Sequence, residues 1–86
     1  MPHFYATVRV GLRPSVLDPA GEAVCAAAQR LGHGAIQSIR IGKAIEIQLD
    51  APDAATARQQ LEYLSAKLLA NPVMETWSLE LHNQEA

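Results

Sequence analysis

The sequence has a single cysteine among its 86 residues and few aromatic residues, and these shortages exclude several classes of protein. One cysteine cannot form a disulfide framework, and a reducing compartment is therefore indicated. Cys25 lies in the run AVCAAA, which favours a structural role because a nucleophilic thiol needs an exposed, electropositive setting. The run AIEIQLD contains no aromatic residue, which excludes an RNA-recognition domain that stacks bases on such a strand.

Positive charge and long hydrophobic runs are also scarce. Seven lysine and arginine residues stand against nine aspartate and glutamate residues, and they are spread along the chain, whereas non-specific nucleic-acid binding needs clustered basic residues. No apolar run approaches the ~18 residues that span a bilayer, and the first residues, MPHFYATVRV, do not have the pattern of a signal peptide. The sequence predicts one small domain over residues 1–86, soluble and cytoplasmic, without nucleic-acid or membrane partners.

The first third of the chain predicts a strand followed by a helix. Apolar and polar residues alternate over residues 3–12, as in a half-buried strand, and Pro14 ends it because proline lacks a ladder donor. Asp18 is a good helix N-cap, and Pro19 suits the first helical position. Gly32 predicts a left-handed end to this helix.

Gly21 is not explained by the helix, because glycine in a helix costs roughly 1 kcal/mol relative to alanine. Its bare backbone lies near the positive end of the helix dipole, where another chain or an anion can approach closely. Glu22 follows directly and would repel an anion. We therefore expect another chain to approach Gly21.

Two further β-type runs, AIQSIRI and AIEIQLD, surround Gly42 and Lys43 and predict a hairpin with two candidate registers. A two-residue turn sets Arg40 opposite Ile45, whereas a three-residue loop sets Ile41 opposite Ile45. We favour the second register because each buried isoleucine contributes roughly 1.5–3 kcal/mol. A slip of one residue would turn the whole apolar set to the other face.

A second helix begins after Asp50 or Asp53 and ends before Pro72, and a last strand lies near residues 73–82, before the polar tail NQEA. The predicted buried stripe of this helix is Ala57, Leu61, Leu64 and Leu68. The order β-α-β-β-α-β predicts an α+β, ferredoxin-like fold, in which two helices pack on one face of a four-stranded antiparallel sheet.

No group of residues forms a recognisable catalytic, cofactor or metal site. His3, His33 and His82 lack the spacing of a metal pair, and no strained nucleophile turn surrounds Ser15. The glycine-lysine pair in RIGKAIE lacks the pattern of a phosphate-binding loop. Metal-carrying domains of this topology use paired cysteines after the first strand, where this chain reads LRPSVLD.

Three segments, LRPSVLDPAGEAV, RLGHGAIQSIRIGKAIEI and KLLANPVMETWSLEL, resemble the PurS subunit of bacterial phosphoribosylformylglycinamidine (FGAM) synthase. The resemblance covers nearly the whole chain, in order and at the right spacing, and the combination of VLDPAG with LLANPV is specific. The departures are mild: Ala20 replaces a usual glutamine, Met74 a usual isoleucine and Trp77 a usual tyrosine.

The resemblance implies an accessory subunit of an ATP-dependent carbon-nitrogen ligase in purine biosynthesis, without an active site of its own. In that family PurL binds ATP and formylglycinamide ribonucleotide (FGAR), and PurQ releases ammonia from glutamine. PurS dimerises, with pairing of dimers as a further option, and bridges the two so that ammonia passes between them. The expected partners are a second copy, a PurL-like synthetase and a PurQ-like glutaminase. ATP and Mg²⁺ are expected on the synthetase, with no cofactor on this chain.

The resemblance also suggests that the turns take part in docking, because rigid proline-bracketed loops lose little entropy when they bind a partner. Eight residues are predicted to contact partners or to fix the shape of the turns: Arg13, Asp18, Pro19, Gly21, Arg40, Lys43, Asn71 and Pro72. Two alternatives remain, a small-molecule-sensing regulatory module of the ACT-like kind and a stand-alone enzyme.

Overall fold

The computed structural model describes residues 1–83, and at its centre lies a three-stranded antiparallel sheet in the order β2-β1-β3. The strands are β1 (His3–Leu12), β2 (Lys43–Asp50) and β3 (Glu75–Asn83). The alternating pattern of residues 3–12 therefore predicts β1 correctly. Both flanking strands pair with β1 along nearly its whole length, which makes β1 the only strand among residues 1–83 with a neighbour on each side.

One face of the sheet carries the apolar core, and the other face is polar. Val8 is fully buried between Ile45 of β2 and Leu79 of β3, which are its partners in the register. On the opposite face, Thr7 lies between Glu46 and Glu80, and Arg9 pairs with Ser78 of β3. Alternation with a period of two thus produces the amphipathic sheet that the sequence predicts.

The first helix, α1 (Pro19–Arg30), begins and ends as predicted. The Asp18 carboxylate caps it by accepting the Gly21 N–H at 2.9 Å. At the other end Gly32 adopts φ +100°, and the amide after it donates to the Ala28 carbonyl at 3.1 Å. The Gly32 amide also donates to the Gln29 carbonyl. These two bonds form a Schellman motif.

The second helix, α2 (Ala54–Leu64), begins after Asp53 rather than Asp50, because the Asp53 carboxylate accepts the Thr56 N–H at 2.7 Å. The helix continues into a π-helical turn over Ser65–Leu69. The Ser65 hydroxyl is buried and donates to the Leu61 carbonyl at 2.7 Å. This bond satisfies a polar group that would otherwise be costly to bury.

The buried stripe of α2 follows every fourth residue, through Ala57, Leu61 and Ser65. The prediction that Leu64 and Leu68 belong to it is wrong, because they are 40% and 73% exposed. The wide π-helical turn has more residues per turn than an α-helix. Beyond Ser65 the buried face therefore moves away from the 3.6-residue spacing that placed Leu68 in the stripe, whereas Leu64 lies before this turn, beside the buried row.

The predicted four-stranded sheet is wrong, because residues 36–42 form no strand. The Asp18 carboxylate accepts the Ile41 N–H at 2.7 Å, and Arg40 donates to the Arg13 carbonyl at 2.9 Å. These bonds hold the segment beside the start of α1, and the chain runs on through Gly42 into β2. No hairpin forms, so neither candidate register applies, and Lys43 begins a strand instead of forming the tip of a turn.

The prediction that both helices cover one face of the sheet is also wrong. Within residues 1–83, neither cluster of buried apolar side chains contains a residue of α1. Instead, α1 and the segment after it form an arm (residues 19–41) that projects from the sheet. The Cα radius of gyration is 16.8 Å, whereas a compact chain of this length has about 12 Å. The chain measures 52 × 31 × 14 Å along its principal axes.

The end of the chain and its hydropathy add two facts. Of the predicted polar tail at residues 83–86, the first residue ends β3, and residues 84–86 lie outside the described part. In the part of the chain that the structure describes, no helix is both long enough and apolar enough to cross a membrane.

Candidate functional site

Three connecting segments meet at the end of the sheet where β1 finishes, and Arg13 ties two of them together. Its backbone N–H donates to the Met74 carbonyl at 2.9 Å. Its guanidinium donates from Nε to the Val73 carbonyl at 3.1 Å and from Nη2 to the Pro72 carbonyl at 3.0 Å. The turn after β1 is thereby fixed to the turn before β3.

Arg40 ties the third segment, and with it the arm, to the same place. Its Nη2 donates to the Arg13 carbonyl at 2.9 Å. Arg13 therefore accepts from the arm through its own carbonyl and donates to the turn before β3 through its side chain. We name the three residues that connect arm and sheet, Arg13, Asp18 and Arg40, the joint.

Asp18 is buried, and both of its carboxylate oxygens accept backbone hydrogen bonds. Oδ1 accepts from Gly21 at 2.9 Å and Oδ2 from Ile41 at 2.7 Å. The Ile41 amide, and after it the Gly21 amide, lower the pKa of Asp18 below its usual value because both bonds favour the charged form. The carboxylate is therefore ionised at neutral pH and joins the first turn of α1 to the segment that returns beside it.

Gly21 is required by a close approach within the same chain. A Cβ atom at this position would lie 2.2 Å from the Ile39 carbonyl oxygen and 2.6 Å from Oδ2 of Asp18. Our expectation that another chain approaches Gly21 is wrong, because segment 36–42 occupies the space beside it. The glycine lets the segment pass the first turn of α1 at a distance that no other residue allows.

The remaining predicted residues lie at the same end of the sheet. Oδ1 of Asn71 accepts the Val73 N–H at 2.9 Å, and the Asn71 N–H donates to Oε1 of Glu75 at 2.7 Å. Oε2 of Glu75 lies 3.9 Å from Nζ of Lys43, and Pro19 opens α1. Sequence reasoning missed Glu75, which joins the start of β3 to the start of β2, because no local motif marks it.

The structure thus places the eight predicted residues around the end of the sheet: Pro19 opens α1, and the other seven form two groups. Arg13, Asp18, Gly21 and Arg40 are linked by hydrogen bonds or close contacts, as are Arg13 and Pro72. Lys43 and Asn71 are linked only through Glu75. The side chains of Arg13, Asp18 and Arg40 bond to backbone atoms, so this arrangement fixes the shapes of the loops.

Exposed polar pairs on the sheet and the single thiol have structural partners. Arg9 pairs with Glu80 and lowers the pKa of that carboxyl. His3 hydrogen-bonds Asp50 at 2.7 Å, and this bond raises the pKa of the imidazole. The buried thiol of Cys25, in α1, contacts Gln29 of the same helix and Ile36 of the segment that follows it. Across residues 1–83, no three His, Cys, Asp or Glu side chains are grouped so that they could hold a metal ion.

Comparison with known proteins identifies the family. The family described as PurS, phosphoribosylformylglycinamidine (FGAM) synthase, matches residues 5–83. The chain belongs to the PurS family. A PurS subunit of FGAM synthase from Synechocystis is 51% identical over 78 residues, which is 91% of this chain and 78% of that protein. The PurS matches do not favour the regulatory alternative.

Solved structures of PurS proteins share the fold. PurS from Thermus thermophilus is 38% identical, with a TM-score of 0.87 over 98% of this chain and all of that one. A chain in the structure of PurLQS from Thermotoga maritima is 27% identical, with a TM-score of 0.87 over 94% of this chain and 99% of that one. The sequence and the fold of the chain thus both match those of PurS proteins.

Proposed function

We propose that the chain is a non-catalytic accessory subunit that holds the PurL-like synthetase and the PurQ-like glutaminase of an FGAM synthase together in the cytoplasm. In this role it keeps the path between the two active sites closed to water. Ammonia released from glutamine then reaches the ATP-dependent conversion of FGAR to FGAM without loss. The observation that carries the proposal is the family match over residues 5–83.

Two further observations support a bridging role. The similar Thermotoga maritima chain was solved within PurLQS, which supports a role within such an assembly. In addition, the joint holds the arm and the turns in one arrangement through backbone hydrogen bonds. A rigid surface loses less entropy when it docks than a mobile one does.

The proposal includes the partners and cofactors. The chain acts as a homodimer, and pairs of dimers are a further assembly it can form. ATP and Mg²⁺ belong to the synthetase, and no cofactor belongs to this chain. The size of the chain supports self-association, since a domain this small buries only about 60–65% of its unfolded surface by itself.

Reconstitution tests the bridging role. The synthetase and glutaminase subunits of the same organism are mixed with ATP, Mg²⁺ and FGAR, with either glutamine or ammonium as the nitrogen source. We expect the chain to raise FGAM formation from glutamine strongly and from ammonium much less. Full glutamine-dependent activity without the chain, or turnover by the chain alone, would contradict the proposal.

The eight residues at the end of the sheet are proposed as partner contacts or as supports of those contacts. Lys43 is a contact candidate, because its side chain is 56% exposed and its nearest carboxylate is 3.9 Å away. We expect Lys43→Ala to weaken co-purification with the large subunits without changing the fold. Arg58→Ala, on the exposed side of α2, is the matched control. Equal capture of both variants would remove Lys43 from the contact surface.

A further inference from the structure

We propose that a cleft between the π-helical turn and the start of β3 receives one apolar side chain from a large subunit of the enzyme. A carboxylate of the same partner segment pairs there with Arg13. This inference rests on the bridging role proposed above and specifies the chemistry of one of its contacts. It follows from the size of the cleft, from the apolar residues at its rim and from the charge that Arg13 leaves unpaired.

The cleft has the size of a pocket for a single side chain. Its volume is about 290 Å³, just below the range of ~300–1,000 Å³ that is usual for sites of cofactors and other small molecules. Ala66, Ala70 and Trp77 line it, and the two small alanine side chains leave its space open. The cleft therefore suits an anchor residue of a protein partner, which fills a pocket within an interface.

Exposed apolar residues lie at the rim of the cleft. Pro72 and Glu75 line the cleft, and the two residues between them, Val73 and Met74, are 78% and 44% exposed. Single exposed apolar side chains are normal on a protein surface, whereas adjacent ones around a pocket mark a contact site. The rim therefore offers apolar contact area beside the anchor residue.

Arg13 brings a positive charge to the cleft that its own chain does not neutralise. Its guanidinium donates to two backbone carbonyls, and no carboxylate among residues 1–83 lies within ion-pair distance of it. Glu75 also lines the cleft, but its Oε1 accepts the Asn71 N–H and its Oε2 faces Lys43. A carboxylate on the partner therefore complements the charge of Arg13.

The walls of the cleft are in place before a partner docks. Arg13 is held to the turn before β3 through its backbone N–H, Nε and Nη2, so its side chain loses little entropy on binding. Arginine and tryptophan are enriched among the residues that dominate binding energy, and Arg13 and Trp77 line the same cleft. The occupant is thus a segment of a large subunit with an apolar residue beside an aspartate or a glutamate.

Substitution of Ala66 tests the inference, because this residue lines the cleft and is exposed, so the fold is not at risk. In the reconstituted enzyme with glutamine, the measured quantity is the concentration of the chain that gives half-maximal FGAM formation. We expect Ala66→Glu, which fills the cleft and adds a negative charge, to raise this concentration at least ~tenfold. Ala55→Glu, at an exposed position near the start of α2, is the matched control and should leave it unchanged.

Ala66→Gln separates the charge of the new side chain from its shape. Glutamine is nearly as large as glutamate but neutral, so we expect it to raise the half-maximal concentration less than Ala66→Glu does. The difference between the two variants should shrink at high salt. Equal effects of both would overturn the carboxylate on the partner, and two variants that behave like Ala55→Glu would overturn the whole inference.

The results separate this inference from the bridging role. If the wild-type chain raises glutamine-dependent FGAM formation and Ala66→Glu does so at the same concentration, the bridging role stands and the cleft contact is wrong. If the wild-type chain has no effect, both are wrong. If Ala66→Glu lowers the oligomeric state of the chain in sedimentation, a second copy occupies the cleft and the inference is wrong.

Trp77, the single tryptophan of the chain, allows a direct measurement of occupancy. Biosynthetic replacement with 5-hydroxytryptophan gives a fluorophore that is excited separately from the tryptophans of the large subunits. We expect acrylamide to quench it less in the saturated assembly than in the chain alone, and we expect Ala66→Glu to lose this protection at the same concentration. Unchanged quenching in the saturated wild-type assembly would mean that the cleft is empty and would overturn the inference.

Discussion

At the residue scale, the Asp18 carboxylate joins two parts of the chain that lie far apart in sequence. Asp18 caps its own helix through Gly21 and also holds Ile41. Asp53 only caps its own helix. Asn caps helices as well as Asp does, so Asp→Asn separates the two roles. An amide has one acceptor oxygen, and it cannot accept from both the Gly21 and Ile41 amides as the Asp18 carboxylate does.

We expect Asp18→Asn to lower the melting temperature clearly and Asp53→Asn to change it little. The difference between wild type and Asp18→Asn should be full above about pH 4, because the pKa of Asp18 is lower in the folded than in the unfolded chain. It should shrink as the pH falls through that lowered pKa. Thermal unfolding from pH 7 to pH 2 checks this, and equal losses in both variants would contradict it.

At Gly21 we expect a glycine-to-alanine substitution to have the opposite effect on stability from its usual one. Replacing a helical glycine by alanine normally stabilises a helix by about 1 kcal/mol. At Gly21 the new Cβ would lie 2.2 Å from a backbone oxygen, so we expect Gly21→Ala to destabilise the chain in urea. Gly11→Ala is the control, because its Cβ would have no atom within 4 Å. A gain in stability for Gly21→Ala would show that the segment can move away.

At the scale of elements, His3 and Asp50 face each other across β1 and β2 and close one end of the sheet. The hydrogen bond to Asp50 and the bond to Gln48 raise the pKa of His3. The stabilisation is therefore complete below about pH 6.5 and is lost as the pH rises through the raised pKa. Both side chains are exposed, so the effect is also reduced by salt.

We expect the melting temperature of His3→Gln to lie below that of wild type at pH 5.5 and to approach it at pH 9. His33→Gln is the control, because His33 lies in the exposed turn after α1. Repeating the series at high salt should reduce the difference at pH 5.5. A difference that stays constant across this range would mean that charge on the imidazole plays no part.

The π-helical turn gives two leucines of one helix opposite environments. Leu61 is fully buried, and Leu68 is 73% exposed. We expect Leu61→Ala to cost about 2–5 kcal/mol of unfolding free energy because it leaves a cavity, and Leu68→Ala to cost less than about 1 kcal/mol. Urea unfolding of both variants measures this. A similar cost at both positions would mean that Leu68 is buried in the folded assembly.

Elements with local signals were predictable from the sequence, and the segment without them was not. Gly32, Asp53 and the capping bond of Asp18 to Gly21 act within a few residues of their position. The helix ends therefore followed from chemistry that the sequence shows directly. The path of residues 36–42 depends on two hydrogen bonds that are accepted by Asp18 and by the Arg13 carbonyl. Each acceptor lies more than twenty residues from its donor. The isoleucines favoured a hairpin, but these polar contacts decided the path.

In the candidate site, too, some residues were predictable from the sequence and others were not. Arg13, Asp18 and Arg40 were chosen from the resemblance. In the structure Arg40 donates to the Arg13 carbonyl, and Asp18 accepts from Ile41, the residue after Arg40. The reason for Gly21 was missed, because the close approach of segment 36–42 follows from the misplaced strand. Glu75 was also missed, since a lone glutamate at the start of a strand carries no signal until its neighbours are known.

At the scale of the whole molecule, the two errors in the predicted fold have one cause. The predicted four-stranded fold pairs the isoleucine-rich run of residues 35–41 with β2 and buries its apolar residues within one chain. The observed chain leaves Val24 and Leu31 exposed and Ile45 half-buried, which is a poor solution for an isolated monomer and a good one for a subunit. This exposed apolar surface is what the proposed assembly would cover.

This view predicts that stability depends on protein concentration. If the native state is a dimer, each tenfold increase in concentration adds about 1.4 kcal/mol per dimer to the apparent free energy of unfolding, which raises the melting temperature by a few degrees. Calorimetry across a hundredfold range measures the slope. A wild-type melting temperature that does not change with concentration would show that the chain folds alone.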